Sequence, residues 1–300
     1  MQPASPFYRT ARRVNGHAVW TGRVNVNERV MDQPLRWKRP RKIFVNSLSD
    51  LFHESVSVET IDRIFAVMAQ CPQHTFQILT KRADRMLDYC ERVAVRNGIG
   101  GADFPDDTPI PKFVGYPLCN VWLGVSVENQ TAAADRIPLL LLTPAAVRFL
   151  SCEPLLGPID MRKVFDEDLG TIDSLTRGSF PNRRPPPRPR PAIDWVIAGG
   201  ESGRNARPMH PDWARSLRDQ CARADVPFFF KQWGEYLPGD MDFDGKHHTW
   251  AADPEHFEKP LAHERYHVVE AHGVSFGRVG KGVAGAMLDG VEHKAFPVNA

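Results

Sequence analysis

Cysteine is scarce in this 300-residue chain, and it is scattered: five residues, at 71, 90, 119, 152 and 221, with the nearest two 19 positions apart. That spacing excludes a CxxC-type metal knuckle or redox motif. An odd number of thiols, with Cys152 inside an apolar run, fits the reduced state of a cytoplasmic protein. Long hydrophobic runs are missing too, and the start (MQPASPFYRTARR) lacks the apolar centre of a signal peptide; no membrane span is expected. Net charge is nearly absent. Lys and Arg number 38 against 36 Asp and Glu, so any footprint for nucleic acid must be local. His53, His74, His210, His247 and His248 fall in no HxH or HxxxH arrangement, and no metal site is expected from them.

What the sequence does have is a short apolar run ending in polar residues, repeated six times. The first is KIFVNSLSDLFH (42–53), in which Ile43, Phe44 and Val45 pattern as a strand and Asn46, Ser47, Ser49, Asp50 and His53 follow. Runs at 75–79, 121–125, 147–150, 194–198 and 227–230 end in Thr80-Lys81-Arg82, Ser126-Val127-Glu128-Asn129, Ser151-Cys152-Glu153-Pro154, Gly199-Gly200-Glu201-Ser202-Gly203 and Lys231-Gln232-Trp233-Gly234. Helix-length segments separate most of them. In 57–71, Ile61, Ile64, Phe65 and Met68 recur at helical spacing behind Ser57 and Thr60 as candidate caps. A second helix is expected through Met86, Leu87 and Val93, and another over 211–224. Parallel neighbours need such crossovers. The alternation therefore predicts an α/β fold over 42–236, a full or partial (β/α) barrel of parallel strands rather than a doubly wound sheet.

The flanks are less regular. Residues 1–41 are polar, with a hairpin expected about Asn15-Gly16 and a basic approach, Arg36-Trp37-Lys38-Arg39-Pro40-Arg41, into the first strand. Residues 98–117 pattern as a loop. An insertion at 168–192 contains PNRRPPPRPRP, whose prolines forbid a regular helix or central strand. The tail, 237–300, is rich in His, Asp and Gly, and 282–288 is expected to pack back as a closing helix.

The C-terminal ends of parallel strands open on one face, where sites are usually built. That face would collect Asn46, Asp50, His53, Lys81, Arg82, Ser126, Glu128, Ser151, Glu153, Glu201, Ser202 and Lys231. Carboxylates and cations so gathered shift each other's pKa and suit a charged ligand. Asp50 and Ser202 serve equally well as helix caps, whereas Glu128 and Glu153 are harder to explain that way. The glycines Gly199 and Gly200 would let backbone N–H groups approach an anion, or simply make a tight turn. Trp122, Trp195 and Trp213 pattern as core. Trp233, at a strand mouth, is placed to stack on a base or ring.

Seven stretches carry a resemblance: FVNSLSDLFHE (44–54), HTFQILTKR (74–82), VWLGVSVENQ (121–130), RFLSCEPLLGPID (148–160), DWVIAGGESG (194–203), ARPMHPDW (206–213) and PFFFKQWGEY (227–236), joined near the end by GKGVAGAMLDG. With them the chain, from about residue 8 onward, resembles a family of phage-associated and bacterial proteins of uncertain function that are viewed as radical-SAM-like. The resemblance implies a partial β/α barrel, a [4Fe–4S] cluster on three N-terminal cysteines and S-adenosylmethionine as cofactor; it leaves the substrate unknown, with a nucleotide or nucleic acid as one open class. It places Asn46, Ser47 and Asp50 toward the methionine amine. Ser126, Glu128, Ser151 and Glu153 go toward the ribose and carboxylate, with Gly199 and Gly200 among the cofactor contacts. Glu201 and Lys231 face the substrate, so that Glu128, Glu153, Glu201 and Lys231 are the expected catalytic groups and His53, Lys81, Arg82 and Trp233 the substrate or nucleic-acid contacts. Such proteins begin with a segment of the form GC…GCxxCYA. No cysteine precedes Cys71 here, so neither the cluster nor radical chemistry is expected on this chain as written; either the sequence starts late, which the downstream match favours, or the chain is a member that has lost the cluster and keeps the barrel for binding. Two other readings stay open: a nucleic-acid-binding module using Arg36–Arg41 and Arg183–Arg190, and a metal-dependent barrel hydrolase using Glu128, Glu153, Glu201 and His53.

Overall fold

The computed structural model describes residues 10–14, 17–22, 24–47, 49–98, 113, 115–178, 191–241, 247–249 and 267–297. In chain order the elements are β1 (Ala11–Val14), β2 (His17–Trp20), α1 (Glu28–Met31), a 3₁₀ turn (Gln33–Arg36), β3 (Lys42–Val45), α2 (Val58–Ala69), β4 (Thr75–Thr80), α3 (Ala83–Arg96), β5 (Val121–Ser126), α4 (Gln130–Leu142), β6 (Val147–Cys152), β7 (Val164–Asp166), β8 (Gly170–Ile172), β9 (Trp195–Gly199), α5 (Pro211–Arg223) and β10 (Phe228–Gln232). They are followed by β11 (Tyr236–Met241), β12 (His247–Thr249), β13 (Val268–Ala271), β14 (Val274–Arg278), α6 (Lys281–Ala284), β15 (Met287–Leu288) and β16 (Val291–Glu292).

The main sheet has the order β3-β4-β5-β6-β9-β10, and its β3/β4, β6/β9 and β9/β10 pairs are parallel. Sheet order follows chain order without a reversal. A doubly wound sheet reverses at a switch point; an unreversed open sheet has the order of a half-barrel. The chain is thus a mixed α/β protein with a parallel six-stranded sheet of half-barrel order.

Two compact units divide it: Met1–Leu123 with Thr143–Ala146, and Gly124–Leu142 with Val147–Ala300. In the first, the Ser57 hydroxyl accepts from the Thr60 N–H and starts α2, whose Ile61, Phe65 and Met68 are buried one turn apart. Phe65 packs on Tyr89 of α3 with ring centroids 5.0 Å apart, and the Tyr89 hydroxyl donates to Asp62 of α2 at 2.8 Å. Each large apolar side chain buried in this way contributes about 2–3 kcal/mol. Asn120 closes the far end of α2, its amide donating to the Met68 and Cys71 carbonyls at 3.0 Å each. β1 and β2 pair antiparallel, as their sequence pattern predicts; the turn itself, Asn15-Gly16, lies outside the described residues.

In the second unit, Phe149 and Leu150 of β6 and Trp195, Val196 and Ala198 of β9 are buried. Gly124 is required beside them, because a Cβ there would lie 2.6 Å from the Phe149 ring. The end of the chain runs along the β10 edge: Phe230 N–H donates to the His293 carbonyl at 2.8 Å and Ala295 N–H to the Phe228 carbonyl at 3.2 Å. Covering an edge in this way blunts it against further pairing.

Two sequence expectations are corrected. The 168–192 insertion is not wholly irregular: β8 pairs antiparallel with β7, and Leu169, Ile172 and Leu175 are buried, so its apolar first third folds. Its proline–arginine run, 179–190, lies outside the described residues, as do 99–112 and 114 of the expected loop. The expected closing helix over 282–288 is only the four-residue α6, which stops where Gly285 takes φ 68°, and the chain turns into the β15–β16 hairpin. Among the described residues no helix is long and apolar enough to cross a membrane.

Candidate functional site

The strand ends of the first unit form a knot. Asp50 Oδ1 accepts from the Phe52 N–H at 2.9 Å and the Thr80 hydroxyl at 2.7 Å, while Oδ2 accepts from the Lys81 N–H at 3.2 Å and Arg82 Nη1 at 3.0 Å. Arg82 also donates from Nε to Glu54 at 2.8 Å. The Asp50 carboxylate therefore ties the end of β3 to the end of β4 and is not the helix cap its sequence position also allowed, since Ser57 caps α2. His53 Nδ1 accepts from the Ser55 N–H, and its Nε2 stands 3.3 Å from Glu54. Asn46 is half-buried with φ 59°, a left-handed conformation tolerated by Asn, and Ser47 is exposed.

The strand ends of the second unit carry the polar chemistry. Three glutamates follow three strands, each with a cation: Glu128, after β5, meets Arg136 of α4 at 2.8 Å; Glu153, after β6, meets Lys231 of β10 at 2.8 Å; Glu201, after β9, meets Arg207 at 2.7 Å. Arg136 also donates to the Ser126 carbonyl at 2.7 Å, and Glu128 and Arg136 line an open depression of about 480 Å³. Glu201 receives the backbone N–H, Nε and Nη2 of Arg207 within 2.9 Å. Those hydrogen bonds keep its carboxyl below the ordinary carboxylate range. Glu153 takes a second bond, from the Gln232 amide at 3.0 Å, and the same amide nitrogen donates to the Ser202 hydroxyl at 2.9 Å.

A β-bulge makes the Glu153 arrangement possible. Phe230 pairs with Ala198 and Gln232 with Gly199, so Lys231 is the extra residue of β10. A regular strand would send Lys231 and Gln232 to opposite faces. The bulge re-aims them, and both reach one carboxylate.

Three site expectations change. The Gly199-Gly200 turn is not an anion nest: the Gly200 N–H donates to the Gln232 carbonyl at 2.8 Å, and a Cβ on Gly200 would fall 1.8 Å from the Trp233 carbonyl oxygen. Glycine is there so that two main chains can cross. Trp233 is not open to a base, being 1% exposed, edge-on to Phe230, with its indole N–H donating to the Met287 carbonyl at 2.7 Å. Ser126 and Ser151 are buried at the ends of β5 and β6, while Lys231 and Glu201 are the more accessible groups. The cations Arg136 and Arg207 and the amide of Gln232 escaped sequence reading. Arg136 lies eight residues from its partner across a helix start, and Gln232 is re-aimed only by the bulge; neither leaves a spacing signal.

The residues present do not fit a [4Fe–4S] cluster. Cys71, Cys90, Cys152 and Cys221 are buried, and burial raises the pKa of the Cys152 and Cys221 thiols, the latter to about 12. Thiolate ligation needs the opposite environment. No group of three or more His, Cys, Asp or Glu able to hold a metal occurs among the described residues.

Comparison with known proteins places the chain in one family. A family model described as "Protein of unknown function (DUF5131)" matches residues 4–297, and the chain belongs to that family. No curated protein matches it, and no solved structure does.

Proposed function

We propose that this DUF5131 protein is a half-barrel enzyme of the radical-SAM architectural type, and that the strand-end rim of its second unit binds S-adenosylmethionine through the amino-acid head. One observation carries the reading: three consecutive parallel strands each end in a glutamate already paired with a cation, Glu128–Arg136, Glu153–Lys231 and Glu201–Arg207. Such a rim presents both signs a few ångströms apart. A zwitterion can exchange into one pair, its ammonium replacing the cation and its carboxylate replacing the glutamate, without leaving an uncompensated charge. That avoids the penalty for stranding a single buried ion.

Glu153 and Lys231 are the pair best suited to that exchange. Lys231 is half-exposed and swings on a flexible stem, while Gln232 continues to hold the carboxylate in place. Glu201, with three donors from one arginine, is less exchangeable than Glu153. Radical chemistry would require a cluster that these residues do not fit.

The test is a titration of S-adenosylmethionine against the full chain and two variants, Glu153→Gln and Glu201→Gln. Weakening by the first of about tenfold, the worth of one charge-assisted hydrogen bond, supports the assignment. Equal affinity in all three proteins refutes it.

A further inference from the structure

The first unit holds a groove of about 440 Å³, within the size range of small-molecule sites. Val26, Val30, Trp37, Phe44, Asn46 and Phe76 are among the residues that line it. Three of its apolar residues face water: Val26 is 45%, Val30 49% and Phe44 45% exposed. Phe44 is on β3, the terminal strand of the main sheet order, on the more exposed side of that strand.

Beside it lies a basic stretch of an otherwise balanced chain. Between 29 and 49 stand Arg29, Arg36, Lys38, Arg39, Arg41 and Lys42, against a single acid, Asp32. Arg36, Lys38, Arg39 and Arg41 are exposed and have no carboxylate partner among the described residues. Arg41 lies instead over the Trp37 ring, 4.4 Å from its centroid, and Trp37 packs on His74. The acids that flank the stretch in sequence are occupied, Glu28 by Arg63 and Asp50 by Arg82 and Thr80. Exposed cations bound to no acid, running into a groove with an exposed aromatic ring, are the two halves of a single-strand nucleic-acid platform: charge for phosphate and a π-face for the base.

We propose that this surface binds single-stranded nucleic acid, with one splayed base against Phe44 in the groove and backbone phosphates on Arg36, Lys38 and Arg39. The Asn46 amide, with both a donor and an acceptor at the groove, faces the base edge. A duplex keeps its bases stacked inside and offers the groove nothing. The proposal supplies a substrate class for the enzyme reading above, but it rests on the first unit alone and stands or falls without S-adenosylmethionine.

The test is fluorescence anisotropy with labelled oligonucleotides of about ten residues, as single-stranded RNA, single-stranded DNA and duplex, across a salt series. The expected result on the unaltered protein is single-strand binding at least about tenfold tighter than duplex, the RNA and DNA arms identifying which strand is preferred. Replacing Arg36, Lys38 and Arg39 together by Gln should lower the slope of log K against log salt by about 2, at about 0.7 per phosphate contact. Phe44→Ser should weaken binding about tenfold at an unchanged slope. The melting midpoint of each variant checks that the fold is retained, and the single-strand preference needs no variant. Absent binding, equal duplex binding, equal binding to a poly-glutamate competitor, or variants that bind as the parent does would each overturn the proposal.

Discussion

Lys231 Nζ stands 2.8 Å from Glu153 Oε2, although Lys231 has no register partner on β9 and its neighbour Gln232 reaches the same carboxylate. The bulge thus serves the rim rather than the sheet ladder. Because the lysine is half-exposed, its ion pair adds only about 0–1 kcal/mol to stability. Lys231→Met should therefore leave the thermal midpoint nearly unchanged while weakening S-adenosylmethionine binding. Paired melting and titration experiments separate the two; a large fall in midpoint would make Lys231 a structural residue instead.

The crossing behind that pair depends on glycine. A Cβ on Gly200 would meet the Trp233 carbonyl oxygen at 1.8 Å, and one on Gly234, at φ 87°, the Glu201 carbonyl oxygen at 2.1 Å. Both obstacles are main chain and have little room to yield. Gly200→Ala should cost about 3 kcal/mol. Gly203→Ala, where φ is 105° but nothing lies within 4 Å, should cost about 1–2 kcal/mol of backbone strain. Denaturant melts of the two variants measure the difference; equal losses would contradict the crossing.

Gln220 pins the loop after β6 from inside the core. Its Oε1 accepts from the Met161 N–H at 2.8 Å, and its Nε2 donates to the Ile159 carbonyl at 2.8 Å and the Ser216 hydroxyl at 3.0 Å. Gln220→Leu keeps the volume but leaves a buried donor and a buried acceptor unsatisfied, a loss of about 3 kcal/mol. Gln220→Glu, which retains the acceptor alone, should lose at least as much at neutral pH, as urea titration would show.

Acid stability follows from the carboxylates whose pKa is lowered. Asp289, in the β15–β16 turn, takes Arg215 and Arg218 of α5 at 2.7 Å each, and both arginines hold its carboxyl below the usual range. A depressed folded-state pKa contributes stability above the unfolded value, about 4, and loses it as pH falls through the folded value. Glu201 acts in the same sense through Arg207, whereas Asp194, raised by burial, acts in the opposite one. Asp289→Asn should flatten the loss of stability below about pH 4 and cost about 1 kcal/mol at neutral pH. Melts between acid and neutral pH check the sign.

The sequence made the parallel sheet legible because its signal is local: Ile43–Val45, Val121–Val125 and the other apolar runs each stop where the chain turns polar, and the unreversed order agrees with the barrel expectation. Glu128, Glu153 and Glu201 stood out for the same reason. Their partners did not. Arg136 and Arg207 stand eight and six residues on, across turns that match no helix or strand spacing, and Gln232 is brought in by a bulge that no residue type announces. Gly200 and Trp233 misled for a physical reason as well. A glycine that frees a backbone for a ligand and one that frees it for another backbone look alike in one dimension, and a tryptophan at a strand end is as easily sealed by a later segment, here Met287, as left open.

The most direct measurement compares S-adenosylmethionine with methylthioadenosine, which keeps the nucleoside and lacks the amino-acid head, in calorimetric titrations of the full chain. A zwitterion-binding rim predicts saturable binding of S-adenosylmethionine that is at least about tenfold tighter than that of the truncated compound, with the preference lost in Glu153→Gln. Equal affinity for the two compounds, or no binding of either, would contradict the account.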